Sequence, residues 1–118
     1  MNVNDVKVVG NLVTKPEVQF TPKGVPVTTV AVGVNETMPG QEKKQVTTFL
    51  DVRVWGQSAE NLARLAAKGQ EIFVEGALRQ EQWQDKETGK PRSKLFLNAS
   101  SWQFTQRKPA TPNQGMER

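Results

Sequence analysis

The chain has 118 residues, a formal net charge of +4, and neither cysteine nor histidine. This length suits one small domain with a single modest core. Without cysteine there is no disulfide and no thiolate metal site, and without histidine the commonest general base and metal ligand is lost. No apolar run reaches membrane-spanning length. We therefore expect a cytoplasmic protein that does not act at a membrane and needs no metal or cofactor.

The positive charge is spread unevenly along the chain. Residues 1–104 hold 13 Lys and Arg against 11 Asp and Glu, so any anion-binding surface there depends on where the basic residues are placed. Residues 105–118 lack a hydrophobic period and contain two prolines and a glycine. We predict a folded domain over 1–104 and a short disordered basic tail over 105–118.

The first part of the chain reads as short strands separated by turns. A strand is predicted over 6–12, with Gly10 as a bend or bulge. Prolines and a glycine break 16–26 into a turn, a short extended piece and a second turn. The stretch 27–36 then alternates, with valines on one face and small or polar residues on the other. This second face leaves room for another group to lie on it.

The period changes in the middle of the chain. Residues 36–45 are polar and predict a mobile loop that leads into a third strand. Beyond that strand the apolar residues fall at helical spacing. We predict a helix of about three turns that is capped by Ser58, has Lys68 in its last turn and ends at Gly69.

Alternation returns after the helix and continues to residue 104. Gly76 predicts a bend in the fourth strand, residues 85–90 a hairpin tip, and the segment beyond the tip a fifth strand. Trp102 and Phe104 close this strand and are predicted to cap the core. An all-β chain with five strand segments and one short helix between the third and fourth has the order of a five-stranded Greek-key barrel, the OB-fold.

The third strand, FLDVRVWGQ at residues 49–57, has two unlike faces. One face is aliphatic and belongs in the core, while the other mixes charges with rings and is predicted to be exposed. The core face has Leu50, Val52 and Val54, and the exposed face has Phe49, Asp51, Arg53 and Trp55. We expect Asp51 to be paired with a neighbouring Lys or Arg.

Exposed rings beside cations suit single-stranded nucleic acid, because every base offers a face for stacking and every nucleotide a phosphate. Trp83 has a similarly polar setting just before the hairpin tip. Protein interfaces also favour Trp, Phe and Arg, and the pattern alone leaves both readings open. The basic residues that could contribute are Lys43, Lys44, Arg53, Lys68, Arg79, Lys86, Lys90, Arg92 and Lys94.

Several runs together resemble the bacterial-type single-stranded DNA-binding protein family, over roughly residues 3–104. WGQSAE, KGQEIFVEG and WQDKETGKPR occur in that order with the family's spacing, after PEVQFTPKGVPV and VAVGVNE. The resemblance implies an OB-fold that assembles as a homo-tetramer and binds single-stranded DNA without strong sequence preference.

The resemblance also implies roles for individual positions. Its stacking aromatics match Phe49, Trp55 and Trp83, and its DNA-embracing loops match those that carry Lys43, Lys44 and the run from Lys86 to Arg92. Arg79 and Lys68 match phosphate contacts. Arg53, by contrast, is assigned to the DNA face by strand alternation alone.

The chain departs from the family pattern in three places. Glu36, Thr37 and Met38 stand where members often carry a ring, which predicts weaker binding per subunit. Lys15 replaces an acidic residue in an exposed turn, where we expect little effect. The chain stops at NQGMER without the acidic tip that in this family recruits replication and repair enzymes, so it resembles either a naturally short form or a shortened piece of a longer chain, and recruitment by that route is not expected.

The leading hypothesis is therefore a non-enzymatic, nucleoid-associated protein that binds and protects single-stranded DNA in replication, recombination and repair. One alternative is a primosome or replication-restart accessory subunit that works mainly as a protein-interaction module. Another is an RNA-binding OB module, which would detect the ribose 2′-hydroxyl. An enzyme ranks last, because ETGKPR lacks the full phosphate-loop pattern and no catalytic constellation is visible.

Overall fold

A barrel of β-strands with one helix makes up the part of the chain that the computed structural model describes, residues 1–37, 39–40 and 44–105. Lys43 and the predicted tail beyond Thr105 lie outside the described residues. The elements are β1 (Val6–Leu12), β2 (Gln19–Phe20), β3 (Pro26–Thr37), β4 (Gln45–Trp55), α1 (Gln57–Leu65), β5 (Glu71–Gln84) and β6 (Pro91–Phe104).

Five long strands close into a barrel in the order β1, β5, β6, β4, β3, and β3 returns to β1. β4 and β6 run parallel, and the other neighbours are antiparallel. The two-residue β2 adds only to the start of β3. The predicted five-stranded OB-fold is thus confirmed, with α1 between the third and fourth long strands.

The strands are joined strongly at some places and weakly at others. β3 and β4 pair without interruption along the whole of β3 beyond its first residue, and β5 and β6 pair along nearly their full length. By contrast, β4 meets β6 through two residue pairs, and β1 meets β3 through two. The barrel therefore consists of two well-paired units, β3–β4 and β1–β5–β6, closed at two short junctions.

The core follows from the period-2 alternation of these strands. Every second residue of a strand points inward, and the aliphatic ones are buried, including the predicted Val52 and Val54. Leu62 of α1 packs against the same cluster, and Trp102 and Phe104 lie against it as predicted. The other buried aliphatic and small residues of the cluster are Leu12, Val30, Val32, Ala59, Ala66, Ile72, Val74 and Leu97.

The helix is shorter than its predicted span. It begins at Gln57 with Gly56 at the N-cap and ends at Leu65, so Ser58 lies inside the first turn and Lys68 lies beyond the last. The prediction failed at Ser58 because its hydroxyl has a different partner, accepting a hydrogen bond from Trp102 Nε1 at 2.8 Å. Within the described residues, no helix is long and apolar enough to cross a bilayer.

Lys15 has a structural role that its exposed turn position did not suggest. Its Nζ donates hydrogen bonds to the carbonyl oxygens of Ala63 at 2.8 Å and Ala66 at 3.0 Å. These carbonyls end the helix and have no partner inside it, and a cation there also complements the helix dipole. These bonds give Lys15 a structural role at the end of the helix, and the small effect expected of this departure from the family pattern stays a prediction.

Two further expectations need correction. Gly10 forms no bulge but pairs regularly with Ile72, and it is small because a Cβ there would overlap the carbonyl oxygen of Gly33. The predicted loop over 36–45 is too long at both ends, since β3 and β4 still pair at Thr37 and Gln45. At Gly76, where the sequence predicts a bend, the structure has a register shift between β5 and β6.

Candidate nucleic-acid interface

The outward side chains of β4, β6 and β5 form one continuous surface. Arg53 pairs with Asn98 across the parallel junction, and Phe96 and Arg92 of β6 pair with Arg79 and Trp83 of β5. Because paired residues point to the same side of a sheet, alternation carries this side across all three strands. We call this surface the aromatic face, formed by Phe49, Asp51, Arg53, Trp55, Arg79, Glu81, Trp83, Arg92, Lys94, Phe96 and Asn98.

Three rings of the aromatic face are open to solvent. Phe49 is 66% exposed, Trp55 41% and Trp83 46%. Aromatic residues gain more from burial than most side chains, so exposed rings on one surface of a small domain indicate a binding role. The predicted division of β4 is confirmed, since Val52 and Val54 are buried and Leu50 packs against the core.

Neighbouring strands hold two of these rings in place. Gly33 of β3 lies directly across from Phe49, and a Cβ added at Gly33 would come within 3.3 Å of the ring carbon Cε1. The glycine therefore lets the Phe49 ring settle against the backbone of β3. Trp55 donates a hydrogen bond from Nε1 to Oδ1 of Asn98 at 2.7 Å, which fixes the indole across the β4–β6 junction.

Phe96 is a fourth ring of this face that sequence reasoning missed. It is only 7% exposed although it points outward, because the guanidinium of Arg53 covers it, with Cζ 4.0 Å from the ring centre. Strand alternation could have found it, since Phe96 is next to the buried Leu97 and must point to the opposite, outer side of the barrel. The contact with Arg53 could not be anticipated, because the two residues lie far apart in the sequence.

Three cations of the aromatic face are held by carboxylates. Arg53 Nη2 lies 2.8 Å from Oε1 of Glu81, Lys94 pairs with Asp51, and Arg92 Nη2 lies 3.1 Å from Oδ2 of Asp85. The expected pairing of Asp51 is confirmed. The hydrogen bond from Arg53 is the main cause that lowers the pKa of Glu81, so this carboxylate stays ionised to a lower pH than an ordinary glutamate.

Other predicted cations have no carboxylate partner in the described part of the chain. Arg79 lies on the aromatic face itself, and Lys86 and Lys90 lie at the hairpin tip that extends it. Lys44 lies immediately before β4. Lys68 is placed elsewhere, in the turn between α1 and β5, and the structure does not bring it to the aromatic face.

The hairpin tip is built by Asp85. Its Oδ1 accepts hydrogen bonds from the backbone N–H groups of Glu87 at 2.8 Å and Thr88 at 3.3 Å. These two bonds are the largest causes that lower the pKa of Asp85, and a hydrogen bond from Arg92 adds to them. The predicted tip over 85–90 is confirmed, with Gly89 at a positive φ of 70°.

Residues 3–105 match the model of the single-strand binding protein family. The chain belongs to this family. A relative from Helicobacter hepaticus named single-stranded DNA-binding protein is 33% identical over 91% of the chain, and one from Synechocystis named single-stranded DNA-binding protein 1 is 32% identical over 86%. A Streptococcus pneumoniae protein named single-stranded DNA-binding protein is 38% identical over 64% of the chain.

The relatives differ in length from this member of the family. The match spans 64% of the Helicobacter hepaticus protein, 82% of the Synechocystis protein and 49% of the Streptococcus pneumoniae protein. The family match over residues 3–105 contains both the barrel and the aromatic face.

Proposed function

We propose that this protein binds single-stranded DNA without strong sequence preference and protects it in replication, recombination and repair. The observation that supports this most directly is the exposure of Phe49, Trp55 and Trp83 on one surface that also holds cations. Single strands present their base faces to such rings, whereas the bases of a duplex are already stacked on one another. The protein acts by binding alone, in the cytoplasm and associated with the nucleoid.

In the proposed mechanism the rings and the cations have separate tasks. The three exposed rings stack on successive bases at about 1–3 kcal/mol each, a range measured largely on proteins of this class. The cations without a carboxylate partner among the described residues, foremost Arg79 with Lys86 and Lys90 of the hairpin tip, neutralise phosphates and release counterions. Lys44, Arg92, Lys94 and, outside the described residues, Lys43 would border the same path, and Lys68 would serve only a strand that continues beyond the face.

We also propose that the protein assembles as a homo-tetramer. One edge of β1 supports this, because in the described part of the chain β1 pairs with β3 only at Asn11 and Leu12, and its earlier residues have no partner there on that side. Beside this edge lies a partly apolar crevice of about 340 Å³ that includes Val8, Val9 and Val34. An open strand edge beside apolar surface is suited to pairing with another chain.

The test is a titration of tryptophan fluorescence with poly(dT) at increasing salt. We expect quenching on binding and a log–log salt slope of about 0.7 per neutralised phosphate. Light scattering with and without dT oligonucleotides measures the number of subunits in the same samples. Absence of quenching would reject the function, and tighter binding to an RNA of the same sequence would reject DNA as the ligand.

A further inference from the structure

Arg53 contacts both a ring and a carboxylate on neighbouring strands of the aromatic face. Its guanidinium covers the Phe96 ring of β6, with Cζ 4.0 Å from the ring centre, and Nη2 donates to Glu81 of β5 at 2.8 Å. The side chain thus starts on β4 and reaches across β6 to β5. Only 21% of it is exposed, so its position is set before any ligand arrives.

The charge of Arg53 is already neutralised by Glu81. A phosphate that approached the guanidinium would also meet this carboxylate, and like charges repel. A phosphate contact at Arg53 would therefore replace one ion pair by another and release little counterion. Arg79, on the same face, has no carboxylate partner within the described ranges and is the better phosphate contact.

The flat side of the guanidinium remains useful for a different contact. Phe96 lies beneath it and is too well covered to stack on a base itself. A guanidinium is planar and weakly hydrated, and it stacks on aromatic rings and on bases alike. Because Phe96 is on the outer side of the barrel, the guanidinium that covers it forms the surface a bound strand would meet.

We propose that Arg53 contacts a base through the plane of its guanidinium, and not a phosphate through its charge, with Glu81 as the positioning residue. This inference rests on the proposed binding of single-stranded DNA. It adds a fourth stacking platform to the three exposed rings. This platform lies between Phe49 and Trp55 on β4 and Trp83 on β5. Phe96 supports the platform from below.

The decisive experiment compares two oligonucleotides with the same number of phosphates, one of dT and one in which every base is replaced by an abasic site. Arg53→Lys keeps the charge and removes the plane. We expect it to weaken dT binding about tenfold, in the middle of the range for one stacked base. Binding to the abasic oligonucleotide at low salt, and the salt slope with dT, should stay at the wild-type values.

Arg79→Gln is the matched control for a phosphate contact. It should weaken binding to both oligonucleotides by the same factor and lower the salt slope by about 0.7. Lys23→Gln removes an exposed charge from a turn outside the aromatic face and should change neither. Urea unfolding of each variant confirms that it is folded under the conditions of the titration.

Glu81→Leu tests the role of Glu81, because a positioning role and a purely electrostatic role predict opposite changes in the affinity for dT. Glu81→Leu removes a negative charge from a DNA-binding face, so electrostatics alone predicts tighter binding to both oligonucleotides. Positioning predicts weaker binding to dT by about threefold or more, because the stacked plane is no longer held. Glu81→Gln keeps an oxygen that can accept from Arg53 and should restore most of the affinity for dT.

Three results would overturn the inference: wild-type affinity of Arg53→Lys for dT, an equal loss on both oligonucleotides, or tighter dT binding by Glu81→Leu. The proposed function has its own readout in the same experiment. If the wild-type protein does not bind dT, that function fails. If it binds and Trp55→Ala and Trp83→Ala weaken binding while Arg53→Lys does not, only the role of Arg53 fails.

Discussion

Two junctions close this barrel with two residue pairs each, and they differ in how many side-chain contacts bridge them. The β4–β6 junction is bridged by Arg53 to Glu81 and Phe96, by Asp51 to Lys94 and by Trp55 to Asn98. The β1–β3 junction opens instead into the partly apolar crevice beside the free edge of β1.

Within the described residues, barrel closure and the proposed DNA binding share side chains at the β4–β6 junction only. The side chains that bridge β4 to β6 are those of the aromatic face, so a strand of DNA bound there would contact both units of the barrel. At β1–β3 no comparable bridge lies within the described residues, and the surface is suited to another protein chain. The following predictions test this division, from the largest expected effect to the smallest.

Leu97→Ala should have the largest effect on stability. Leu97 is fully buried directly beneath the β4–β6 junction, where it pairs with Val52. Loss of a buried leucine side chain costs about 3 kcal/mol, because the packing around the cavity relaxes only partly. Urea unfolding measures this free energy. Leu95→Ala, on the same strand but exposed, is the control and should cost less than about 1 kcal/mol; equal losses would show that the junction is not where the core is tightest.

Trp55→Ala and Trp83→Ala should each lower the affinity for dT by about 2 kcal/mol. The two residues lie on opposite units of the barrel, so comparable losses would show that the strand crosses the β4–β6 junction. Trp102→Phe is the control, because Trp102 packs against the core and bonds to Ser58. Unchanged affinity in both alanine variants, measured by anisotropy of a labelled oligonucleotide, would contradict this path.

The division of β4 into a core face and an exposed face could be predicted from its own sequence, whereas the contacts that bridge β4 to its neighbours could not. Alternation within one strand identified Val52 and Val54 as core and Phe49 and Trp55 as exposed, because neighbouring residues of a strand always point to opposite sides. Turn chemistry located the hairpin tip for the same local reason. The partners Glu81 and Phe96 of Arg53 lie on other strands, and no local pattern brings them together.

Ser58 and Lys15 show where a local pattern gives an incomplete description. Ser58 has the chemistry of a helix cap, but the N-cap is Gly56 and the serine hydroxyl is bonded to the distant Trp102. Lys15 looks like an exposed turn residue until α1 folds beside it and offers two carbonyl oxygens. In both cases a contact between distant parts of the chain decided the role.

Val9→Asp tests the other junction. Val9 is exposed on β1 and lines the crevice at β1–β3, so an added charge is tolerated by the single chain. A charge buried without a partner in an assembly is costly. We expect association to weaken at least about tenfold, equivalent to about 1.4 kcal/mol, as measured by light scattering over a dilution series. An unchanged mass would place the contact between subunits elsewhere.

The smallest effect is expected at the hairpin tip, which is far from both junctions. The folded-state pKa of Asp85 is lowered from its ordinary value of 3.8, so its contribution to stability is present above that value and is lost as the pH falls through the lower, folded-state pKa. Emission from Trp83 should therefore report loss of the Asp85 hydrogen bonds at the hairpin tip only when the pH falls below 3.8.

Asp85→Asn is the matched variant for this titration. It keeps an oxygen for the N–H groups of Glu87 and Thr88 and removes the ionisable group, so the acid step in Trp83 emission should shrink. The pKa of Glu81 is lowered as well, and this carboxyl lies closer to the β4–β6 junction. Glu81→Gln removes its contribution to the acid step. A step of full size in both variants would assign it to another group.

The arrangement of β1 also bears on how the protein is made. Val6 of β1 pairs with Gly76 of β5, so the first strand to leave the ribosome has to wait until most of the chain has been translated before it finds its main partner. β3 and β4, by contrast, are consecutive strands and can pair early during synthesis. A nascent chain that paused before β5 would carry β1 paired only at its end, through Asn11 and Leu12, so the rest of this strand is a point at which newly made copies can associate or be captured by a chaperone.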